Sequence, residues 1–242
     1  MTEHGASEAD IRPIAIGESF AFSCTPERAC FTECCRLLDL ALSPYDVLRL
    51  KRALAISSGA FLDRYAVIEE GGNFPVVYLG MVDDGRASCP FVCEEGCRIY
   101  GDRPAACRFY PIGRGASMTP EGCRQQFVLV REPHCLGHER STPQDIDSWQ
   151  QGQELAPYIR AGDRFAGLVQ HPAAVGNFTA DREQRQLYLT CLYDLDGLRR
   201  RLIDGDPSLT ALAAAGVPAD DETLLDAAID WLAATLFPDR PE

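Results

Sequence analysis

The sequence predicts an α+β fold: a small loop-rich cysteine-cluster domain with a few short strands and helices, followed by a mostly helical C-terminal region. Three observations lead there. Ten of the eleven cysteines lie between Cys24 and Cys135, and only Cys191 falls outside. The two stretches that read as strands, residues 75–81 (PVVYLGM) and 126–130 (QFVLV), both fall within the span of the clustered cysteines. Beyond residue 140 the apolar residues recur at helical spacing instead.

Residues 1–19 read as an N-terminal tail, polar and poorly ordered to about Ile16. Residues 20–140 form the expected cysteine-cluster domain, and 141–242 a helical region that packs on it or contacts a partner. Ser43-Pro44-Tyr45-Asp46 is a helix start, with a serine cap, a proline in the first turn and an acid three residues after the cap. The helix that follows places Val47, Leu48, Leu50, Leu54 and Ile56 largely on one side, and Ser57 and Ser58 cap a second short helix. Thr142-Pro143-Gln144-Asp145 repeats the start signal ahead of Ile146 and Trp149. One long helix is expected from Asp181 to about Ile203, with Leu187, Cys191, Leu195, Leu198 and Leu202 as its apolar stripe, and a last one from about Asp221 to Phe237.

A chain of 242 residues buries a sizeable core without cross-links, so its cysteines need another explanation. The net charge of −13, with Lys51 the single lysine, argues against a nucleic-acid partner, since such binding rests on neutralising phosphates. The charge is uneven: residues 86–140 carry six acids and eight arginines, net +2, between two acidic flanks. Such a segment suits a site that must hold several thiolates. No apolar stretch is long enough for a membrane span, and the first seventeen residues lack the features of a signal peptide. A cytoplasmic location is expected, where thiols more often bind metal or do redox work than form lasting disulfides.

The cysteines fall into C-x5-C-x3-C-C (Cys24, Cys30, Cys34, Cys35) and C-x3-C-x3-C-x9-C (Cys89, Cys93, Cys97, Cys107). Neither is a zinc-ribbon or a ferredoxin spacing, so spacing supports thiolate ligation without naming the metal. Side chains of neighbouring residues diverge, by ~100° on a helix and ~180° on a strand. The pair Cys34-Cys35 therefore serves an extended centre, or two separate sites, more easily than one small ion.

The run CPFVCEEGCRIYGDRPAACRFYP, residues 89–111, resembles the YkgJ-like cysteine-cluster family of zinc- or iron-chelating proteins. Its C-P-F, G-C-x-I/V-Y and R-P-x-x-C-R-x-Y-P elements are all present, and CFTECC at residues 30–35 looks like the family's other half. The upstream gaps are wider than the family's C-x2-C-x2-C-C. The resemblance covers roughly residues 20–138 and implies a metal or cluster site held by Cys24, Cys30, Cys34, Cys35, Cys89, Cys97, Cys107 and Cys135. Cys93 and Cys123 lie outside the motif, and Cys191 sits on the helical stripe as a small buried hydrophobe. Arg103 and Arg108 flank Cys107 and either offset thiolate charge or form ordinary salt bridges to Asp102, Glu94 or Glu95. In His134-Cys135-x2-His138 the histidines are read as surface residues before ligands.

An iron–sulfur cluster or iron with a redox or accessory role is the first functional expectation, the metal following from the resemblance and from the excess of thiols. A structural-zinc module whose acidic helical half binds a protein partner is the second. A cluster-bearing protein methylase is the third, and no catalytic motif supports it.

Overall fold

The computed structural model describes residues 9–139, 141–176, 178–214 and 216–238. Strands β1 (Asp10–Pro13) and β2 (Phe20–Ala21) come first, then a 3-10 turn over Glu33–Cys35, α1 (Pro44–Leu54) and α2 (Ser58–Tyr65). Strands β3 (Ala66–Glu69) and β4 (Val76–Leu79) form one antiparallel hairpin, and β5 (Val92–Cys93) and β6 (Gly96–Cys97) a second. After α3 (Ala105–Phe109), the longer β7 (Ile112–Thr119) and β8 (Gly122–Arg131) make a third. Strand β9 (Pro143–Gln144) returns to pair with β2. Helices complete the chain: α4 (Ile146–Gly152), α5 (Ala156–Val169), α6 (Pro172–Val175), α7 (Arg182–Leu192), α8 (Leu195–Ile203), α9 (Thr210–Ala213) and α10 (Asp221–Leu236). The fold is α+β, with its strands in the cysteine-bearing part and its C-terminal region mostly helical.

The largest sheet is antiparallel in the order β1-β8-β7. Phe127 and Leu129, two apart on β8, are both buried, so the strand period of two aims them at the core. The strand expected at 126–130 is thus the end of a ten-residue strand, and β7 was not anticipated because its IGRGASMT sequence has no alternating apolar pattern. The expectation of a poorly ordered segment to about Ile16 is corrected over its later part, where Asp10–Pro13 pair with Arg131–Val128 and Ile14 is buried; residues 1–8 lie outside the described residues.

Helix α1 opens as its sequence predicts. The Ser43 hydroxyl accepts from Asp46 N, while Asp46 Oδ2 accepts from Ser43 N at 2.8 Å, a reciprocal cap worth ~1 kcal/mol. The second start signal is displaced. Pro143–Gln144 are in strand β9, and Asp145 caps α4 by accepting from Ser148 N at 2.8 Å. The single long helix expected from Asp181 is two, because the Asp194 carboxylate accepts from Ser58 Oγ at 2.7 Å and from Gly197 N, ending one helix and starting the next. The stripe survives the break, with Cys191, Leu195, Leu198 and Leu202 all buried.

One apolar core runs from Ile14 to Phe237. Helix α1 packs against α2, α5 and α10 and so ties the cysteine-bearing part to the helices. Helix α10 buries Leu224, Leu225, Ala228, Ile229, Leu232 and Leu236, and each fully buried leucine is worth ~2 kcal/mol. Among the described residues, no helix is long and apolar enough to cross a membrane.

The same junction holds a charged knot. Lys51 on α1, with its side chain 7% exposed, lies 2.9 Å from Asp196 on α8 and 2.8 Å from Asp221 on α10. Asp221 also pairs with Arg199 at 2.7 Å. Removing the lysine would leave two carboxylates facing each other in a half-buried site. Lys51→Met should lower the unfolding free energy by about 3 kcal/mol in urea titrations under reducing conditions. A change within experimental scatter would mean that the knot adds nothing to stability.

Candidate metal centre

Loops, a 3-10 turn, a short hairpin and the helix α3 carry the candidate ligands, and hydrogen bonds draw these pieces together. The 3-10 turn Glu33–Cys35 is linked to the segment before β5, where Cys89 N donates to Cys35 O at 2.8 Å and Arg36 Nη1 donates to Ser88 Oγ at 2.7 Å. The β5–β6 hairpin then brings Cys97 back beside Val92. Its turn needs glycine: Gly96 has a φ of +117°, and a Cβ there would meet Phe31 at 3.0 Å. Helix α3 presents Cys107, and its first free N–H, that of Ala105, donates to Asp46 Oδ1 at 2.7 Å. One buried carboxylate therefore caps α1 with one oxygen and anchors the Cys107 helix with the other.

On the other side, Arg28 joins two loops. It donates to Leu136 O at 2.5 Å, to Ser23 Oγ at 2.8 Å and to Glu139 O at 2.8 Å. Leu136 N in turn donates to Cys30 Sγ at 3.2 Å. Backbone N–H groups aimed at sulfur favour the thiolate form of a ligand cysteine. Gly137 is close-packed beneath the Phe22 ring, which leaves no room there for a Cβ.

Two adjoining cavities result. The first, ≈300 Å³, has Cys24, Cys30, Cys107 and Cys135 in its wall, with Arg28, Tyr110, Trp149 and Gln153. The second, ≈360 Å³, has Cys24, Cys35, Cys89, Cys97 and Cys107, with Phe31, Leu38, Leu79 and Phe91. Cys24, Tyr100, Arg103 and Cys107 line both. Seven of the eight cysteines expected as ligands thus wall the two cavities, and Cys34 stands within electrostatic reach of Cys24 and Cys107. Among the described residues, no three Cys, His, Asp or Glu side chains already close around a single ion. The donor set nonetheless fits a metal: it is rich in thiols, supported by an N–H to sulfur, and gathered around space.

All eleven cysteines are free thiols. Burial pushes the Cys107 thiol up to about 12, helped by Cys89, Asp46 and Cys97. Cys24 is pushed up to about 11 by burial and then by Cys34, Cys30 and Cys135. Burial also raises Cys89 and Cys97. For Cys34 the first cause is hydrogen bonding with the Cys35 side chain, so the vicinal side chains approach each other where divergence was expected; the tight 3-10 turn accounts for the difference. Thiols held protonated by burial and by one another give up their protons far more readily when a cation takes the protons' place.

The remaining cysteines lie elsewhere. Cys93 donates its thiol proton to Gly96 O at 3.2 Å, Cys123 sits on β8 near Arg114 and Asp163, and Cys191 is fully buried in the helical core. Arg103 faces both cavities, stacks over Tyr100 at 3.7 Å, donates to Tyr100 O at 2.8 Å and bonds Gln153 Oε1; its charge favours the Cys97 thiolate. Arg108 does neither of the things expected of it. It donates to Gln153 O at 2.6 Å and to Gly101 O and stacks on Tyr158, latching α3 to the helical region. Asp102 pairs with Arg49 instead, at 2.6 Å. His134 lies 3.5 Å from Glu132, and the His138 ring packs on Phe22. Sequence reasoning missed Arg28, Asp46 and Gln153. Asp46 was legible only as a cap, and Gln153 carried no signal.

A small α+β domain that gathers thiols around confluent cavities, walled on one side by helices, is a cysteine-cluster metal-binding domain. Residues 23–136 match the model of the CxxCxxCC family, described as a "Putative zinc- or iron-chelating domain". No curated protein and no solved structure matches the chain.

The raised thiols set a pH window for the metal-free chain. The unfolded thiol ionises near 9.0, whereas Cys107 holds its proton to about 12, so its contribution to stability is intact below pH 9 and falls as pH rises towards 12. Urea denaturation across that window should show the fall, and Cys107→Ser should make it shallower. An identical slope in the variant would mean that Cys107 is not buried as described.

Proposed function

We propose that this chain is a cytoplasmic iron–sulfur protein whose cysteine centre serves a redox or accessory role. The observation that supports it most is the number of thiols around the two adjoining cavities, with no histidine in either wall. Structural zinc is complete with four ligands and needs no free volume. Here each cavity has roughly ten times a water molecule's ~30 Å³ share of the liquid, which suits a polynuclear centre better than one ion. Cys34 and Cys35 add two further thiols from one turn, which brings the total to twice what a single tetrahedral ion takes.

When bound, such a centre supplies one-electron transfer at a potential set by burial, local charge and hydrogen bonds to sulfur. This chain has residues for each: apolar Phe31, Leu38, Leu79 and Phe91 at the wall, the Arg103 guanidinium facing both cavities, and Leu136 N–H on Cys30 Sγ. Thiolate ligands also require a reducing compartment, in keeping with the cytoplasm.

Protein purified without oxygen should be brown, bleach in air, and contain iron and acid-labile sulfide in comparable amounts. Colourless protein carrying stoichiometric zinc, from cells supplied with ample iron, would overturn the proposal in favour of a structural-zinc module.

A further inference from the structure

We infer that the eight thiols divide into two adjoining four-thiol metal centres: Cys24, Cys30, Cys34 and Cys135 in one, and Cys35, Cys89, Cys97 and Cys107 in the other. The inference rests on the metal-binding reading above and specifies how that site is divided. Its joint is the vicinal pair Cys34–Cys35, one thiol of which serves each centre.

The backbone builds the two sets as separate units. In the first, Ser23 N donates to Gly137 O at 2.9 Å, Leu136 N donates to Cys30 Sγ, and Arg28 spans from between Cys24 and Cys30 to the carbonyls of Leu136 and Glu139. These bonds hold Cys24, Cys30 and Cys135 in one unit. Cys34 joins them through the turn that carries it, where Glu33 N donates to Cys30 O at 3.0 Å. In the second, Cys89 N donates to Cys35 O at 2.8 Å, Val92 N donates to Cys89 O at 3.1 Å, and Val92 faces Cys97 across the hairpin. Cys107 enters this set from α3 and shares the second cavity's wall with Cys35, Cys89 and Cys97.

Ligand counting points the same way. Four thiolates complete one tetrahedral ion or one four-cysteine cluster, and the chain brings twice that number. Cys24 and Cys107 line both cavities, so the two centres are neighbours.

Cadmium is a convenient probe, because one ion occupies each tetrathiolate set and its NMR signal reports sulfur ligation. The full chain, stripped of metal and kept reduced, should bind two cadmium ions and show two cadmium-113 resonances, both in the thiolate region. Cys30→Ser should perturb one resonance and Cys97→Ser the other, each lowering tightly bound cadmium to about half. Saturation at one ion, or loss of both resonances from either substitution in a variant with unchanged circular dichroism, would overturn the division while leaving metal binding intact. Failure of the wild-type chain to bind cadmium would instead defeat the metal-binding reading beneath it.

Discussion

Half-buried thiols that crowd one another resist ionisation near neutral pH unless a cation shares their space. Burial and mutual repulsion both favour the protonated form, as the raised values of Cys107, Cys24, Cys89 and Cys97 show. A site built this way is unfavourable for thiolates alone and becomes favourable when a metal replaces the protons. The cysteine-bearing half of the chain is organised around that constraint. Its regular elements are short, and its connections are held by hydrogen bonds between loops, as from Cys89 N to Cys35 O and from Arg28 to Leu136 O.

The helical half does more than cover the domain. Trp149 and Gln153, on and just after α4, complete the wall of the first cavity, and Gln153 receives both Arg103 and Arg108. Lys51 fixes α1 to α8 and α10, while Asp46 on the same α1 anchors the helix that carries Cys107. Helix α1 is thus the common support: its buried face holds the helices, and its first turn holds a candidate ligand. Much of the acidic charge on α10 is met within the chain, with Asp226 paired to Arg160 and Arg164, and Asp230 to Arg164.

Local signals were the legible ones. The serine cap ahead of α1, the apolar stripe through Cys191 and Leu198, and the spacing of the clustered cysteines each depend on residues a few positions apart. What the sequence hid depends on distant pairings. Strand β1 exists because Val128–Arg131 offer it a partner, and Arg28 matters because its guanidinium reaches carbonyls more than a hundred residues away. Arg108 shows the hazard of adjacency: it neighbours Cys107 in sequence, yet helix α3 turns it away, towards Tyr158 and the backbone of Gln153. The break between α7 and α8 was hidden for a similar reason, since Asp194 reads as one more helical residue until Ser58 is placed beside it.

X-ray absorption at the metal edge of the full chain, isolated without oxygen, tests the central claim most directly. Thiols that converge as Cys24, Cys30, Cys35, Cys89, Cys97, Cys107 and Cys135 do around these cavities should give a first coordination shell of sulfur alone. A shell dominated by nitrogen or oxygen would place the metal on histidines or carboxylates and contradict the account.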